Sequence, residues 1–397
     1  MARGNIMRGV EADGGGALAK QIVETILPAW VGSRGGAWRD PLCVGHRSAA
    51  SGAATLRVQA QRVYLAARLE RAGLLPGGAA SGAFLASDAL MRFLSADGGE
   101  GLVRAVAEDG RVVDPSRNFE DHAWMVSALA QVHTLTGSDD VLLIADMLLE
   151  FIESRLSTGS IGFCADDQGS TERGQAGHLR LFEALLTLQL SSGAERYLAA
   201  AGKIHEVFRY HFFDRQGGGV IESLGRDWRP TPKGAIAAFQ SQATAQWIAQ
   251  LGRHHAIVGS GQTLGLMAAL AENLRARRNS SGFVASSHDR FGAPIDASCP
   301  LASQLGLCAA IRAMQAAGEG GFGAAGRLEA LIAGAYLDVA PRGCWIERLS
   351  AAGTSEGAPL DHSTLVSLID HAAGDSDGAL LKRARAENPN DERVRAA

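Results

Sequence analysis

Five glycine-led, β-branched or aromatic stretches recur along the 397-residue chain at nearly constant intervals. They are Gly101-Leu-Val-Arg-Ala-Val, Gly162-Phe-Cys, Gly219-Val-Ile-Glu, Gly282-Phe-Val-Ala and Gly343-Cys-Trp-Ile, with leading glycines 61, 57, 63 and 61 residues apart. In each, glycine breaks the preceding helix and two to four strand-forming residues follow. A polar turn closes the unit, as at Glu108-Asp109-Gly110, Gly225-Arg226-Asp227 and Ala351-Ala352-Gly353. A period of this length, with about two helices per block, marks an architecture built by repetition. Each unit reads as a short hairpin or extended loop set between helices.

Helical periodicity fills the remainder, over 17–27, 47–72, 82–96, 119–136, 139–156, 175–191, 194–212, 235–254, 262–277, 299–317, 324–338 and 362–373. These twelve spans make six antiparallel pairs. The spans 119–136, 175–191 and 235–254 mix polar with apolar residues, whereas 139–156 and 194–212 are conventionally amphipathic. Six inner helices wrapped by six outer ones account for that contrast. The expected fold is all-α, an (α/α)6 six-hairpin barrel with short β-hairpins at one end. It is expected to form a single domain over 1–397, frayed at 1–16 and about 384–397. An open superhelical solenoid is the alternative, because its local helix pairing is the same.

With 46% hydrophobic and 20% charged residues the chain can bury a large core. A net charge of −4 gives no basic footprint for nucleic acid or an acidic membrane. Five cysteines without a Cys-x-x-Cys pair fit a reduced, cytoplasmic setting better than a disulfide scaffold. The N-terminus shows no signal-peptide pattern and no apolar run is long enough to span a membrane. The histidines form no His-Glu-x-x-His or Cys/His cluster, so neither a metal nor another cofactor is expected.

Arg173-Gly-Gln-Ala-Gly-His178-Leu-Arg180-Leu-Phe-Glu183-Ala resembles a signature of the N-acylglucosamine 2-epimerase superfamily, nearest to its mannose and mannose-6-phosphate isomerase-like branch. Glu120-Asp-His-Ala-Trp124, Asp227-Trp228-Arg-Pro and Ala358-Pro-Leu-Asp-His-Ser-Thr-Leu365 are similar to further segments of that superfamily, in order along the chain. The resemblance implies the same barrel and a small-molecule sugar or sugar phosphate as partner, and it is compatible with a homodimer. It implies proton transfer at the carbon beside a sugar carbonyl, with two histidines as acid and base and no metal. Histidine suits that task because its pKa lies near neutrality.

The chain departs from the pattern at the positions that carry this chemistry. Arg180 replaces the second histidine of the signature, and Ala243 and Gln246 stand where the family has histidine and glutamate before Trp247. Gln61 replaces an arginine, Ser303 a glutamate and Ser367 the late histidine, which a gapped alignment restores as His362. His178 and His362 are therefore the candidate catalytic residues, and activity of the family type is expected to be weak or altered. The alternatives are a catalytically silent relative that binds a sugar or a protein, and a glycoside-cleaving enzyme on the same barrel.

The candidate substrate-binding residues are Arg173, Arg180, Glu183, Gln61, Gln246, Trp247 and Trp345. Each has two readings. His178 is a proton carrier or a hydrogen-bonded structural histidine. Trp247 and Trp345 stack on a sugar or pack in the core. Glu222 and Asp227 form a carboxylate pair or bond within their loop. Arg180 binds an anion, which gives a preference for a phosphorylated sugar, or it pairs with Glu183 one turn on.

Overall fold

The computed structural model describes residues 17–27, 53–75, 80–94, 100–157, 161–230, 238–357 and 360–374. The termini expected to fray lie outside these residues, as do 47–52 at the start of one expected helix. The described elements are dominated by α1 (Ala17–Gln21), α2 (Leu56–Arg71), α3 (Gly82–Phe93), α4 (Phe119–Thr136), α5 (Asp139–Phe151), α6 (Gln175–Ser192), α7 (Glu195–Val207), α8 (Ser241–Val258), α9 (Gly261–Ala276), α10 (Leu301–Ala316), α11 (Ala325–Ile332) and α12 (His362–Ala373). Five-residue π turns continue α1, α5, α7 and α11.

Packing divides the chain into two compact units, where the sequence pattern reads as one domain. The first comprises Val31–Phe208 and Ser223–Thr231, the second Met1–Trp30, Arg209–Glu222 and Pro232–Ala397. In the first unit α4 packs between α2 and α6, while α3, α5 and α7 cover α2, α4 and α6 in turn. In the second, α10 packs between α8 and α12; α9 covers α8, α11 covers α10, and the N-terminal α1 packs on α12. Among the described residues α1 thus packs against the last hairpin of this unit, on α11 and α12. The inner helices of the first unit are buried nearly all round and α8 less so: α4 is buried from Phe119 to His133 except at Glu120, whereas α5 buries only Ala145, Leu148 and Phe151. That is the expected contrast between mixed and amphipathic spans.

The helix ends follow local chemistry. Gly137, Gly193 and Gly259 stop α4, α6 and α8 in the left-handed conformation, each donating its N–H to the carbonyl four residues back. The side chains of Ser81, Asn118, Ser260 and Asp361 cap the starts of α3, α4, α9 and α12.

The strands are two or three residues long. β1 (Ala54–Thr55) pairs with β2 (Ala105–Val106), which pairs with β3 (Val112–Asp114). β4 (Arg173–Gly174), β5 (Phe213–Asp214), β6 (Gly219–Val220) and β7 (Ser223–Leu224) make the antiparallel pairs β4–β7 and β5–β6. β8 (Phe239–Gln240), β9 (Ser287–His288), β10 (Pro294–Asp296), β11 (Cys299–Pro300) and β12 (Arg348–Leu349) pair as β8–β9–β10 and β11–β12. β1, β4, β8 and β11 each lead directly into an inner helix. Three of those helices, and α4, hand a first, otherwise orphaned N–H to the following loop: Leu56 N to Arg104 O at 2.9 Å, Phe119 N to Ala165 O at 2.8 Å, Ser241 N to Ser286 O at 3.0 Å and Leu301 N to Glu347 O at 2.9 Å.

The expected strands shift accordingly. Gly162-Phe-Cys and Gly282-Phe-Val-Ala contribute single bridges at Phe163 and Val284, and the strand expected at Gly343-Cys-Trp-Ile forms later, at β12. The helix expected from 235 begins at Ser241, because Phe239–Gln240 is extended against β9. The glycines do serve as turning points, with φ of 77° at Gly101, 87° at Gly162, 88° at Gly282, 82° at Gly343 and 65° at Gly218.

Candidate functional site

The fourth residue of three inner helices does the same job. His122 donates from Nδ1 to Asn118 O (2.7 Å) and accepts at Nε2 from Leu102 N (2.9 Å). His178 donates from Nδ1 to Gly174 O (2.7 Å) and accepts at Nε2 from Phe163 N (3.1 Å). Gln304 repeats the motif with an amide, donating to Pro300 O (3.1 Å) and accepting from Val284 N (3.0 Å). A backbone N–H aimed at Nε2 requires that nitrogen to be unprotonated, so both histidines are held as the neutral Nδ1–H tautomer. Burial pushes the pKa of His122 down to about 4. His178 is fully buried, with both ring nitrogens engaged by backbone. Its geometry is that of the hydrogen-bonded structural histidine, tying the Gly162 turn to α6.

Arg173 is also enclosed. Its guanidinium donates to Ile161 O (3.2 Å) and Arg226 O (3.1 Å) and lies 4.2 Å from the centroid of the Trp228 ring. Trp228 has a φ of 62°, the one positive value at a non-glycine among the described residues. Its turn matches three others, in which Ala107, Asp289 and Ser350 donate to the carbonyl four residues on, as Gly225 does to Arg229 O, all at 2.8 Å. The position three residues on is Gly110, Gly292 or Gly353 in those turns and Trp228 here. Asp227 is exposed and accepts from Arg229 N within that turn, the loop-bonding alternative. Glu222 is exposed.

Arg180, at the sixth position of α6, stacks on Trp124 with its guanidinium carbon 3.6 Å from the ring centroid. Trp124 holds the sixth position of α4, and Gln61 the sixth of α2. Arg180 Nη1 donates to Glu183 Oε2 at 2.5 Å, and Tyr64 Oη donates to Glu183 Oε1 at 2.9 Å. The pair is buried, with Arg180 9% and Glu183 7% accessible, so the counter-ion of Arg180 is already inside the protein. The other guanidinium donors have no hydrogen-bond partner among the described residues, and neither has the amide of Gln61, which is 5% accessible.

At the second and third positions of α4, Glu120 Oε2 accepts from Arg57 Nη2 (3.0 Å) and Asp121 Oδ1 from Arg57 Nε (2.9 Å). Burial raises both carboxyl pKa values, and Arg57 opposes that shift. Arg104 lies 3.9 Å from Asp121, and Arg180 acts on the charge of Glu120. Three cations and three carboxylates therefore meet in the first unit, on α2, α4, α6 and one loop. Sequence reading missed Arg57, Tyr64, Glu120 and Trp124. The available signal was register: Trp124 and Arg180 share the sixth helical position, and Arg57 and Glu120 the second.

The second unit holds the other expected residues. Trp247 is fully buried in α8 and offers no ring face to a sugar, the core-packing alternative. Trp345 is buried as well, and its indole donates to Glu347 Oε2 at 2.7 Å. Glu347 also accepts from Thr364 Oγ1, and burial raises its pKa. Gln246 is half-buried in α8 and Ser303 is buried in α10. His362 opens α12, and its side chain lies outside the described residues. Among the described residues no three His, Cys, Asp or Glu side chains converge as a metal ion requires, and no helix is long and apolar enough to cross a membrane.

Comparison with known proteins gives this arrangement its context. The model of the N-acylglucosamine 2-epimerase (GlcNAc 2-epimerase) family matches residues 46–363, and the chain belongs to that family. A mannose-6-phosphate isomerase of Rhizobium meliloti (strain 1021) is 28% identical over 134 residues, 32% of this chain and 35% of that relative, so the match spans about a third of its length. The cellobiose 2-epimerase of Bacillus thermoamylovorans B4167 superposes with a TM-score of 0.73 at 15% identity, over 89% of this chain and 97% of that one. A D-mannose isomerase superposes with a TM-score of 0.64 at 14% identity, over 83% and 87%. At these identities the likeness shows the fold, the all-α (α/α)6 barrel.

Proposed function

We propose that this chain binds an uncharged open-chain sugar, an aldose of the mannose type, against Arg180, Trp124 and Gln61, and that the two-histidine chemistry of the family is not what it uses. The observation that carries this reading is the Arg180–Glu183 pair. Arginine at this register raises the expectation of a phosphate site, but a buried guanidinium calls for an anionic ligand only when no internal carboxylate neutralises it. Glu183 does so at 2.5 Å. Its remaining donors suit neutral acceptors such as sugar hydroxyl and carbonyl oxygens. The wider cluster balances too, with Arg57 and Arg104 facing Glu120 and Asp121. The names of the relatives, which include mannose isomerase, support a monosaccharide of this class.

Calorimetric titration with mannose and with mannose-6-phosphate tests it, in wild type, Arg180→Ala and Gln61→Ala. Mannose is expected to bind, the phosphate no more tightly, and both substitutions to weaken mannose. Tighter binding of the phosphate that disappears in Arg180→Ala would restore the anion site. Binding of neither sugar would remove the reading altogether.

A further inference from the structure

Arg57 engages one carboxylate oxygen of Glu120 at 3.0 Å, and the other has no hydrogen-bond partner among the described residues. The side chain keeps 31% of its surface accessible, against 3% for its neighbour Asp121. Glu120 is therefore the carboxylate of this cluster with an oxygen available to a ligand. It stands one helical turn before Trp124, the ring on which Arg180 stacks, and within the electrostatic reach of Arg180. A base beside a guanidinium with unengaged donors is the pairing that enolisation needs. One group takes the proton and the other stabilises the oxygen that becomes negative.

We propose that Glu120 is the single proton carrier of an aldose–ketose isomerisation at this site, with Arg180 binding the sugar oxygen on which charge develops. This rests on the sugar-site reading above. The Glu120 carboxylate takes the proton from C2 of the open-chain aldose. The C2–H electron pair forms the C1=C2 double bond, and the carbonyl pair moves onto O1 beside Arg180. The carboxyl then returns the proton to C1 from the same face, the hydroxyl proton passes from O2 to O1, and C2=O2 forms. Nothing is oxidised or reduced overall, and no co-reactant is consumed. One carrier on one face suffices for this suprafacial transfer. Epimerisation at C2 needs a proton delivered to the opposite face, so a single carboxylate favours ketose over epimer. The charged groups facing Glu120 are Arg57 on α2, Arg180 on α6, Arg104 in the intervening loop and Asp121 beside it. Burial holds its pKa above the ordinary carboxyl value, which makes it a stronger base than a surface glutamate.

The test is incubation with mannose in deuterated water, followed by proton NMR, with mannose affinity measured in parallel by calorimetry. Wild type is expected to form ketose, with deuterium entering at C1 to the extent that the Glu120 carboxyl exchanges with solvent before it returns the proton. Glu120→Gln should lower that rate by about 10²–10⁴ while mannose still binds. Glu120→Asp, which keeps the charge but draws the carboxylate back by one methylene, should retain an intermediate rate, and circular dichroism checks that both variants are folded. The wild-type rate should fall as pH drops through a single carboxyl ionisation, and Glu120→Gln should lose that limb. Mannose bound without ketose formation, or ketose formation at an unchanged rate in Glu120→Gln, overturns the proposal and leaves the sugar site standing. A C2 epimer as first product overturns the single-carrier assignment. No binding of mannose overturns both.

Discussion

Replacing His178 separates a structural histidine from a catalytic one. Two backbone groups depend on its ring, the Phe163 N–H at 3.1 Å and the Gly174 carbonyl at 2.7 Å, and the side chain is fully buried. Alanine would strand both, and an unsatisfied buried polar group costs about 1–3 kcal/mol. The sum is about 3 kcal/mol, or roughly a hundredfold in the unfolding equilibrium. A water molecule admitted to the space left by the ring would bring the loss towards the lower end. Glutamine should behave differently, because Gln304 already makes the same two backbone bonds from the same helical position. His178→Gln is expected to keep most of the stability and whatever turnover the wild type shows. Urea unfolding followed by circular dichroism measures the first effect. Hydrogen exchange at the Phe163 amide, protected in wild type and His178→Gln and fast in His178→Ala, locates it. A His178→Gln protein that is as stable as wild type but has lost all turnover would refute the reasoning, and so would a His178→Ala protein of undiminished stability.

Acid should unfold the protein through its buried neutral histidines. His122 has its pKa pushed down to about 4 from 6.5, so between those values the unfolded chain binds the extra proton and the folded one does not. Stability is fully present above about pH 6.5 and declines as pH falls towards 4, by about 3 kcal/mol from His122 alone; urea midpoints across that range check it, and His122→Gln should flatten the slope. Glu183→Ala leaves the Arg180 guanidinium buried without its partner and is expected to cost about 3–5 kcal/mol, whereas Arg180→Met with Glu183→Leu should cost much less. Equal losses in chemical denaturation would show that the pair is not the counter-ion arrangement described.

Much of the helical scaffold is readable along the chain because its determinants are local. A 3.6-residue apolar period and left-handed glycines such as Gly137 and Gly193 suffice to place α4 to α7 within a few residues. The strands escape the same reading because two residues carry no usable propensity. Arg348–Leu349 is a strand only because Cys299–Pro300, some fifty residues earlier, lies beside it. The site divides along the same line. Glu183 as the partner of Arg180 is legible at three residues' distance, but Tyr64 and Trp124 complete that enclosure from other helices. The positions at which the sequence departs from the family's signature are legible along the chain; which side chains surround them depends on register between helices.

Trp228 shows how far such non-local terms reach. Its left-handed backbone costs about 1–3 kcal/mol, and the equivalent residue of three matching turns is a glycine that avoids the cost. The strain persists because the ring it presents lies over the Arg173 guanidinium and against Gly162, where an added Cβ would come within 2.7 Å of it. Arg173 in turn holds the Ile161 and Arg226 carbonyls at the entrance to α6. The strained turn, the buried cation and the histidine lock all act on the first turn of the helix that carries Arg180 and Glu183. A guanidinium that stabilises charge on a sugar oxygen must not relax when that charge forms. In the proposed sugar site, fixing the start of α6 from three sides would let Arg180 meet that requirement from the sixth position of the helix.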